Sequence, residues 1–241
     1  TWRKKIWDSS TGKFLRRTPT SWAKILLFYL CFYTVLGLYF WILWSVFSTL
    51  LSYEEPMYQM DKSLIGDVPG MDYWPKKTEY TFSQVGDALG ELEEFLEPYH
   101  KAGRLEAFQE PCTKKNGYNY RKGQPCVFLK LNRIFGWKPT DYEAGQRPSE
   151  ISSVSTDFIP LTCEDRDGHK GLTLKTFPPG FPKSYFPFKK QKELNPLVAV
   201  WFSGLTNGTT VRVECKAWAP NIEHDPTNFK GSVRFRVTVK N

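Results

Sequence analysis

Histidine is scarce in this sequence, and the residue patterns that usually carry catalysis are missing. The three histidines, His100, His169 and His224, lie far apart, and no C-x-x-C brings two cysteines together. A zinc site therefore has no obvious ligand set. G-x-S-x-G, H-E-x-x-H and the phosphate-cradling G-x-x-x-x-G-K-[ST] are all absent, which removes the common hydrolase, metalloprotease and nucleotide-loop signatures. One acidic pair remains, Asp165-Arg166-Asp167, the D-x-D spacing that places a divalent metal in many lumenal glycosyltransferases. Such enzymes need an α/β domain for the nucleotide sugar, and no alternating βα pattern is present. The same stretch lacks the fifth and twelfth ligands of an EF-hand loop. It reads first as a solvated turn. A single-span lumenal glycosyltransferase using Asp165 and Asp167 is the alternative from the enzyme class.

A second absence is more informative. Between Lys24 and Glu54 there is neither a charge nor a proline, so residues 25–53 run uncharged from Ile25 to Tyr53. At 1.5 Å per residue a helix of that length reaches roughly 43 Å, enough to cross a ~30 Å hydrocarbon core with some tilt. The reading is a signal anchor rather than a cleaved leader, because the apolar run is too long and no small-residue cleavage site follows it.

Charge gives the span a direction. Arg3, Lys4, Lys5, Lys13, Arg16, Arg17 and Lys24 stand against Asp8 before it, six of the chain's +8 formal charges. Glu54, Glu55 and Asp61 follow it. Basic flanks stay in the cytoplasm, so the expected organisation is a cytoplasmic tail over 1–24, the membrane helix over 25–53, an extracellular stalk over 54–80 and an ectodomain over 81–241. Basic residues beside a span are topology determinants, and no nucleic-acid partner is expected. The chain starts at Thr1, and trimming ahead of it is expected.

Cysteine usage fits an oxidising compartment. Cys31 falls within the span, leaving Cys112, Cys126, Cys163 and Cys215 as an even set for two disulfides, with three connectivities open. Asn207-Gly208-Thr209 is the one N-x-S/T sequon, so an N-linked glycan on Asn207 is expected and no other cofactor.

The remaining segments sort by period. Thr81 to Gln84 fits a capping box, and Val85, Ala88, Leu89, Leu92, Phe95 and Leu96 share one helical face, with Pro98 and Gly103 as stop signals. Around Cys126–Leu131, Val211–Trp218 and Val233–Lys240, apolar residues alternate with polar ones, the signature of antiparallel strands with one wet face. Pro196–Ser203 is continuously apolar, as a strand buried on both faces would be. Thr176–Lys190 reads as a turn-rich loop. The fold expected is a single N-terminal transmembrane helix plus a mainly antiparallel, immunoglobulin-like β-sandwich with one long covering helix.

Aromatic residues are abundant where an anchor does not need them. Phe28, Tyr29, Phe32, Tyr33, Tyr39, Phe40, Trp41 and Trp44 run through the middle of the span rather than at its ends. Tyr29, Tyr33, Leu36, Phe40 and Trp44 share a face, and Gly37 beside them permits close approach. A tyrosine hydroxyl in hydrocarbon needs an acceptor, which points to a protein partner. Outside the span, Phe177, Phe181, Tyr185, Phe186 and Phe188 alternate with Pro178, Pro179, Pro182 and Pro187. Those rings either close the core or form a stiff contact surface, and the stiffness favours contact.

Several blocks then carry a resemblance. They are Ser21 to Tyr29 followed by Phe32-Tyr33, Pro56-Met57-Tyr58-Gln59, Gly117 to Tyr120, Gly123 to Cys126, Leu129 to Arg133, Pro179 to Pro182, Tyr185-Phe186-Pro187-Phe188, Pro196 to Val200 and Val213 to Ala217. In this order they resemble the β subunits of P-type Na⁺/K⁺-ATPases, with H⁺/K⁺-ATPase β subunits as close kin and an alternative identity.

The resemblance implies a non-catalytic subunit that helps a ten-span α subunit fold, insert and reach the plasma membrane, and that tunes its K⁺ and Na⁺ affinity. It implies a type II, single-pass membrane protein. Phe28, Tyr29, Phe32, Tyr33, Leu36, Gly37, Phe40 and Trp44 would meet the seventh and tenth helices of α. Tyr58, Gln59, Tyr185, Phe186, Pro187 and Phe188 would meet α outside, where the last four cap the loop between helices seven and eight. A small single-span regulatory subunit and membrane lipid or sterol are further partners that the family leaves open. Homotypic cell adhesion by the ectodomain is a third, alternative reading, which the resemblance implies as a side role. Family pairing gives Cys112–Cys126 and Cys163–Cys215. Members usually hold a third bridge, which would precede Cys112, so this chain departs from the family there.

Overall fold

The computed structural model describes residues 7–8, 12–15, 17–51, 56–63, 66–76, 79–81, 85–104, 108, 110–143, 145–188, 194–225 and 227–240. It contains two compact units, Thr1–Tyr53 and Glu54–Asn241.

In the first unit, a short hairpin of β1 (Trp7–Asp8) and β2 (Lys13–Phe14) precedes α1 (Pro19–Leu50). Helix α1 starts six residues ahead of the uncharged run for local reasons. Thr18 is the N-cap, its hydroxyl accepting from the Ser21 amide at 3.4 Å, and Pro19 occupies the first turn, where its missing N–H costs nothing. The Trp22 indole donates to the Phe14 carbonyl at 2.9 Å and ties the hairpin to the helix start. The helix stops at Leu50, short of the expected end, and Tyr53 lies outside the described residues. Its 32 residues are apolar and long enough to cross a membrane, and none is buried.

The second unit is a three-layer stack. One sheet has five strands in the order β4 (Glu79–Thr81), β11 (Ser232–Lys240), β10 (Thr210–Ala217), β6 (Phe158–Asp165) and β8 (Gly180–Pro182). The other has four, in the order β3 (Met71–Trp74), β5 (Cys126–Leu131), β9 (Leu197–Ser203) and β7 (Thr173–Phe177). Every pairing is antiparallel except β4 with β11. The core between the sheets takes Val127, Leu129, Val198, Val200, Val213, Val233 and Phe235 from the inward sides of their strands.

A second core lies on the other side of the four-stranded sheet. There α2 (Val85–Lys101) lays Val85, Ala88, Leu92, Leu96 and Tyr99 over Cys126, Phe128, Leu197 and Ala199. Leu92 and Leu96 are fully buried, each worth roughly 1.5–3 kcal/mol against leaving it exposed. The helix covers the sheet as its apolar stripe predicts. It also explains β9, whose unbroken apolar run is buried on both faces. Strand β5 shares that environment, so Phe128 is buried beneath the helix and β5 has no wet face of the kind its alternation suggests.

Three local expectations are corrected, and a fourth falls largely outside the described residues. Pro98 sits inside α2 rather than ending it, on the solvent side. The helix instead closes on Gly103, at φ +64°, with the Gly103 amide bonding the His100 carbonyl and the Arg104 amide the Tyr99 carbonyl, the two bonds of a glycine-terminated helix. Thr81 belongs to β4, and the rest of the capping box, 82–84, lies outside the described residues. Residues 54–80 are not merely a stalk, because β3 and β4 add to the two sheets from within them. Thr176–Lys190 likewise contributes the end of β7 and all of β8. Gly180 is required there: a Cβ would lie 2.1 Å from the Ile159 carbonyl oxygen.

Both disulfides form, Cys112–Cys126 and Cys163–Cys215, as the family pairing implies. Cys163 and Cys215 are direct cross-strand partners on β6 and β10. The bond therefore staples neighbours within one sheet, unlike the inter-sheet bridge of antibody domains.

Candidate partner-contact surfaces

Helix α1 supports ladders of rings. Phe28 stacks on Phe32 and Tyr29 on Tyr33, with centroids 6.2 and 6.0 Å apart, and Phe40 stacks on Trp44 at 6.2 Å. Spacing of four residues places each pair one turn apart on one face. The edges of Tyr29 and Tyr33 also meet Phe28 and Phe32 at 5.4 Å. Leu36 lies on the same side, and no atom would crowd a Cβ on Gly37.

Hydroxyl groups on this helix divide into two classes. Thr34 donates to the Leu30 carbonyl and Thr49 to the Val46 carbonyl, each at 2.7 Å. A phenol is too long to turn back in that way. Among the described residues, the hydroxyls of Tyr29, Tyr33 and Tyr39 have no partner. Hydrocarbon offers them none either.

The proline-aromatic loop is pinned to its own domain. Phe181 and Phe188 are buried, and Phe177 packs on the core beneath α2. Phe186 meets Trp137 edge-on at 5.3 Å and Phe188 at 5.1 Å. The Arg104 guanidinium lies 4.9 Å from the centre of the Tyr185 ring. Phe188, read as an outward contact, is instead buried, its ring edge-on to Phe186. Tyr185, Phe186 and Pro187 stay half-exposed on a support fixed by the Lys183 amide bond to Asp157 and the Lys183–Asp141 ion pair.

Tyr58 is exposed beside Met57, while the Gln59 amide donates to the Pro56 carbonyl at 2.9 Å. Sequence pattern alone does not single out Met57, since one exposed methionine has no period. Asn207 lies exposed in the turn between β9 and β10, where the Gly208 amide bonds the Val239 carbonyl at 2.7 Å. That is an accessible position for a glycan.

Asp165, Asp167 and His169 each bring one ligand-type atom within 4.8 Å of the others, but their atoms brace a turn. Asp165 accepts from the His169 amide at 2.6 Å, the His169 ring at 2.8 Å and the Asp167 amide at 3.0 Å. Burial pushes the Asp165 carboxyl up, and these donors more than reverse that, leaving it below the usual carboxylate range. Asp167 pairs with Arg212, whose hydrogen bonds hold its carboxyl low as well. The D-x-D carboxylates close the β6 end of the sheet.

Comparison with known proteins agrees with these features. The sequence model of the family described as sodium/potassium ATPase beta chain matches residues 1–113 and 104–235. The sodium/potassium-transporting ATPase subunit beta-1 of Drosophila melanogaster is 33% identical over 98% of this chain and 92% of its own length. Subunit beta-2 of the same organism is 28% identical over 98% and 91%. Human subunit beta-2 is 29% identical over 99% and 93%. These alignments span 287, 298 and 289 positions against 241 residues here, so the relatives hold positions this chain does not. The two family-matched segments overlap at 104–113, a stretch that includes Cys112. With nearly the whole chain matched in order, this protein belongs to the sodium/potassium ATPase β chain family.

Proposed function

We propose that this chain is the non-catalytic β subunit of a sodium/potassium-transporting P-type ATPase. It assists the folding, membrane insertion and export of the catalytic α subunit and tunes its K⁺ and Na⁺ affinity. The observation that carries this reading is α1, a membrane-length helix with no buried residue and with tyrosine hydroxyls that lack partners among the described residues. A catalytic subunit's membrane helices, the seventh and tenth by family analogy, supply both packing surface and acceptors. Outside, Tyr58, Gln59 and the half-exposed Tyr185, Phe186 and Pro187 meet the loop between helices seven and eight. The basic tail keeps the N-terminus in the cytoplasm, placing the disulfides and Asn207 outside the plasma membrane.

Purification of this chain from native membranes in mild detergent tests the assignment. A cation-dependent ATPase chain in near-equal amount is expected in the eluate. Recovery of this chain alone, with no cation-dependent ATP hydrolysis, would overturn it.

A further inference from the structure

Four arginines meet on the outer face of the five-stranded sheet. Arg166, Arg212, Arg234 and Arg236, with Val213 and Phe235, line an open cavity of about 400 Å³. Strand register explains the convergence. Arg212 on β10 is directly opposite Arg236 on β11, and Glu214 is opposite Arg234. Arg166 joins them from the end of β6, its amide donating to the Arg212 carbonyl at 2.8 Å.

The carboxylates present order this cluster without neutralising it. Glu214 is buried and accepts from Arg166 at 2.5 Å and from Arg234 at 3.1 Å, one oxygen to each. Asp167 takes the Nε of Arg212 at 2.9 Å. Arg236 has no partner among the described residues. Four positive charges thus meet the two carboxylates bonded to them, and Glu164, directly opposite Glu214 on β6, adds a third carboxylate to this face, which leaves the cluster net positive. Like charges directly opposite across antiparallel strands are destabilising, so the Arg212–Arg236 pair is a cost that folding alone does not explain. Each guanidinium has five N–H donors, and the contacts described leave most of them free. The Arg166–Glu214–Arg234 clamp fixes two of the forks before any ligand arrives.

We infer that this cavity is a binding site for a sulfated glycan. Guanidinium forks match the oxygens of tetrahedral anions, where a lysine offers only a point charge. The clamp and the Arg212–Arg236 pair are two residues apart along their strands, roughly 7 Å, which suits a chain bearing repeated anionic groups better than one small anion. The exposed Thr210 hydroxyl, paired at 2.9 Å with that of the buried Thr238, continues the face toward the sequon turn and offers a hydrogen bond to sugar. The choice of a sulfated glycan over other polyanions rests on the extracellular placement of this sheet, since polysulfated chains are abundant there.

The test uses the full chain in detergent and a heparin-derived decasaccharide as probe. Arg236→Gln breaks no hydrogen bond among the described residues. Combined with Arg212→Gln, it should weaken binding by about tenfold or more and flatten the salt dependence. Arg212→Lys with Arg236→Lys keeps the charge and should still lose several-fold. Lys115→Gln with Lys122→Gln removes the same charge from an exposed segment elsewhere and should change affinity less than about twofold. Equal weakening by the lysine pair, equal binding of the desulfated decasaccharide, or displacement by inorganic sulfate at the same concentration of sulfate groups would each overturn the site. Its fate is separable from that of the pump assignment. Glycan binding that follows the arginines in a chain recovered without an ATPase would leave the site standing and remove the proposed function.

Discussion

Replacing Cys163 and Cys215 together by alanine is expected to destabilise the sheet unit more than the loss of its other disulfide does. The bond closes 52 residues of sequence separation, for which the chain-entropy model gives roughly 4 kcal/mol. For a unit of this size, about 2–4 °C per kcal/mol predicts a fall in unfolding midpoint of about 8–16 °C. Cys112→Ala with Cys126→Ala opens a separation of 14, worth roughly 3 kcal/mol in the same model. Burial does not set the ranking, because Cys112, Cys126 and Cys215 are all buried and Cys163 is half-buried, so the difference rests on loop closure. Thermal unfolding of the unreduced protein, followed by circular dichroism, should show both losses in that order. A reversed order would mean that local packing, rather than loop closure, sets the contribution of these bonds.

The second large effect concerns association rather than folding. Tyr29→Ala with Tyr33→Ala removes two stacked rings and two unpartnered hydroxyls from the exposed face of α1. Hydrogen bonds between membrane helices contribute about 0.6–2 kcal/mol each, and packing of the lost rings adds to that. Recovery of the catalytic chain should fall at least about tenfold, the change that 1.4 kcal/mol produces. Tyr29→Phe with Tyr33→Phe keeps the rings and should give a smaller, several-fold loss. Leu38→Ala with Ile42→Ala truncates the opposite side of the same helix and should leave association intact. Insertion should be unchanged in all three, since none adds a charge. If the two alanine pairs have equal effects, the ladder is lipid-facing bulk and not an interface.

Particular residues show what the sequence made legible. The uninterrupted apolar run of β9 and the stripe on α2 both follow from burial, so their layers could be read directly. Strand β3 could not be, because four residues carry too little alternation and its partner β5 begins some fifty residues later. Phe188 misleads for a related reason: a stiff loop rich in rings looks the same whether the rings point inward or outward. Pro98 lies exposed inside α2, on the face that carries Glu94, so a proline read as a stop does not end this helix. The arginines of β10 and β11 are visible as alternation, but only register places Arg212 beside Arg236.

The claim that this chain serves a catalytic partner is tested most directly in cells depleted of their own β subunits. A tagged sodium/potassium ATPase catalytic chain is expressed there with and without this protein, and its arrival at the plasma membrane is measured together with K⁺-dependent ATP hydrolysis. The account predicts that the catalytic chain reaches the surface and becomes active only in the presence of this protein. Equal delivery and equal K⁺ dependence in its absence would contradict it.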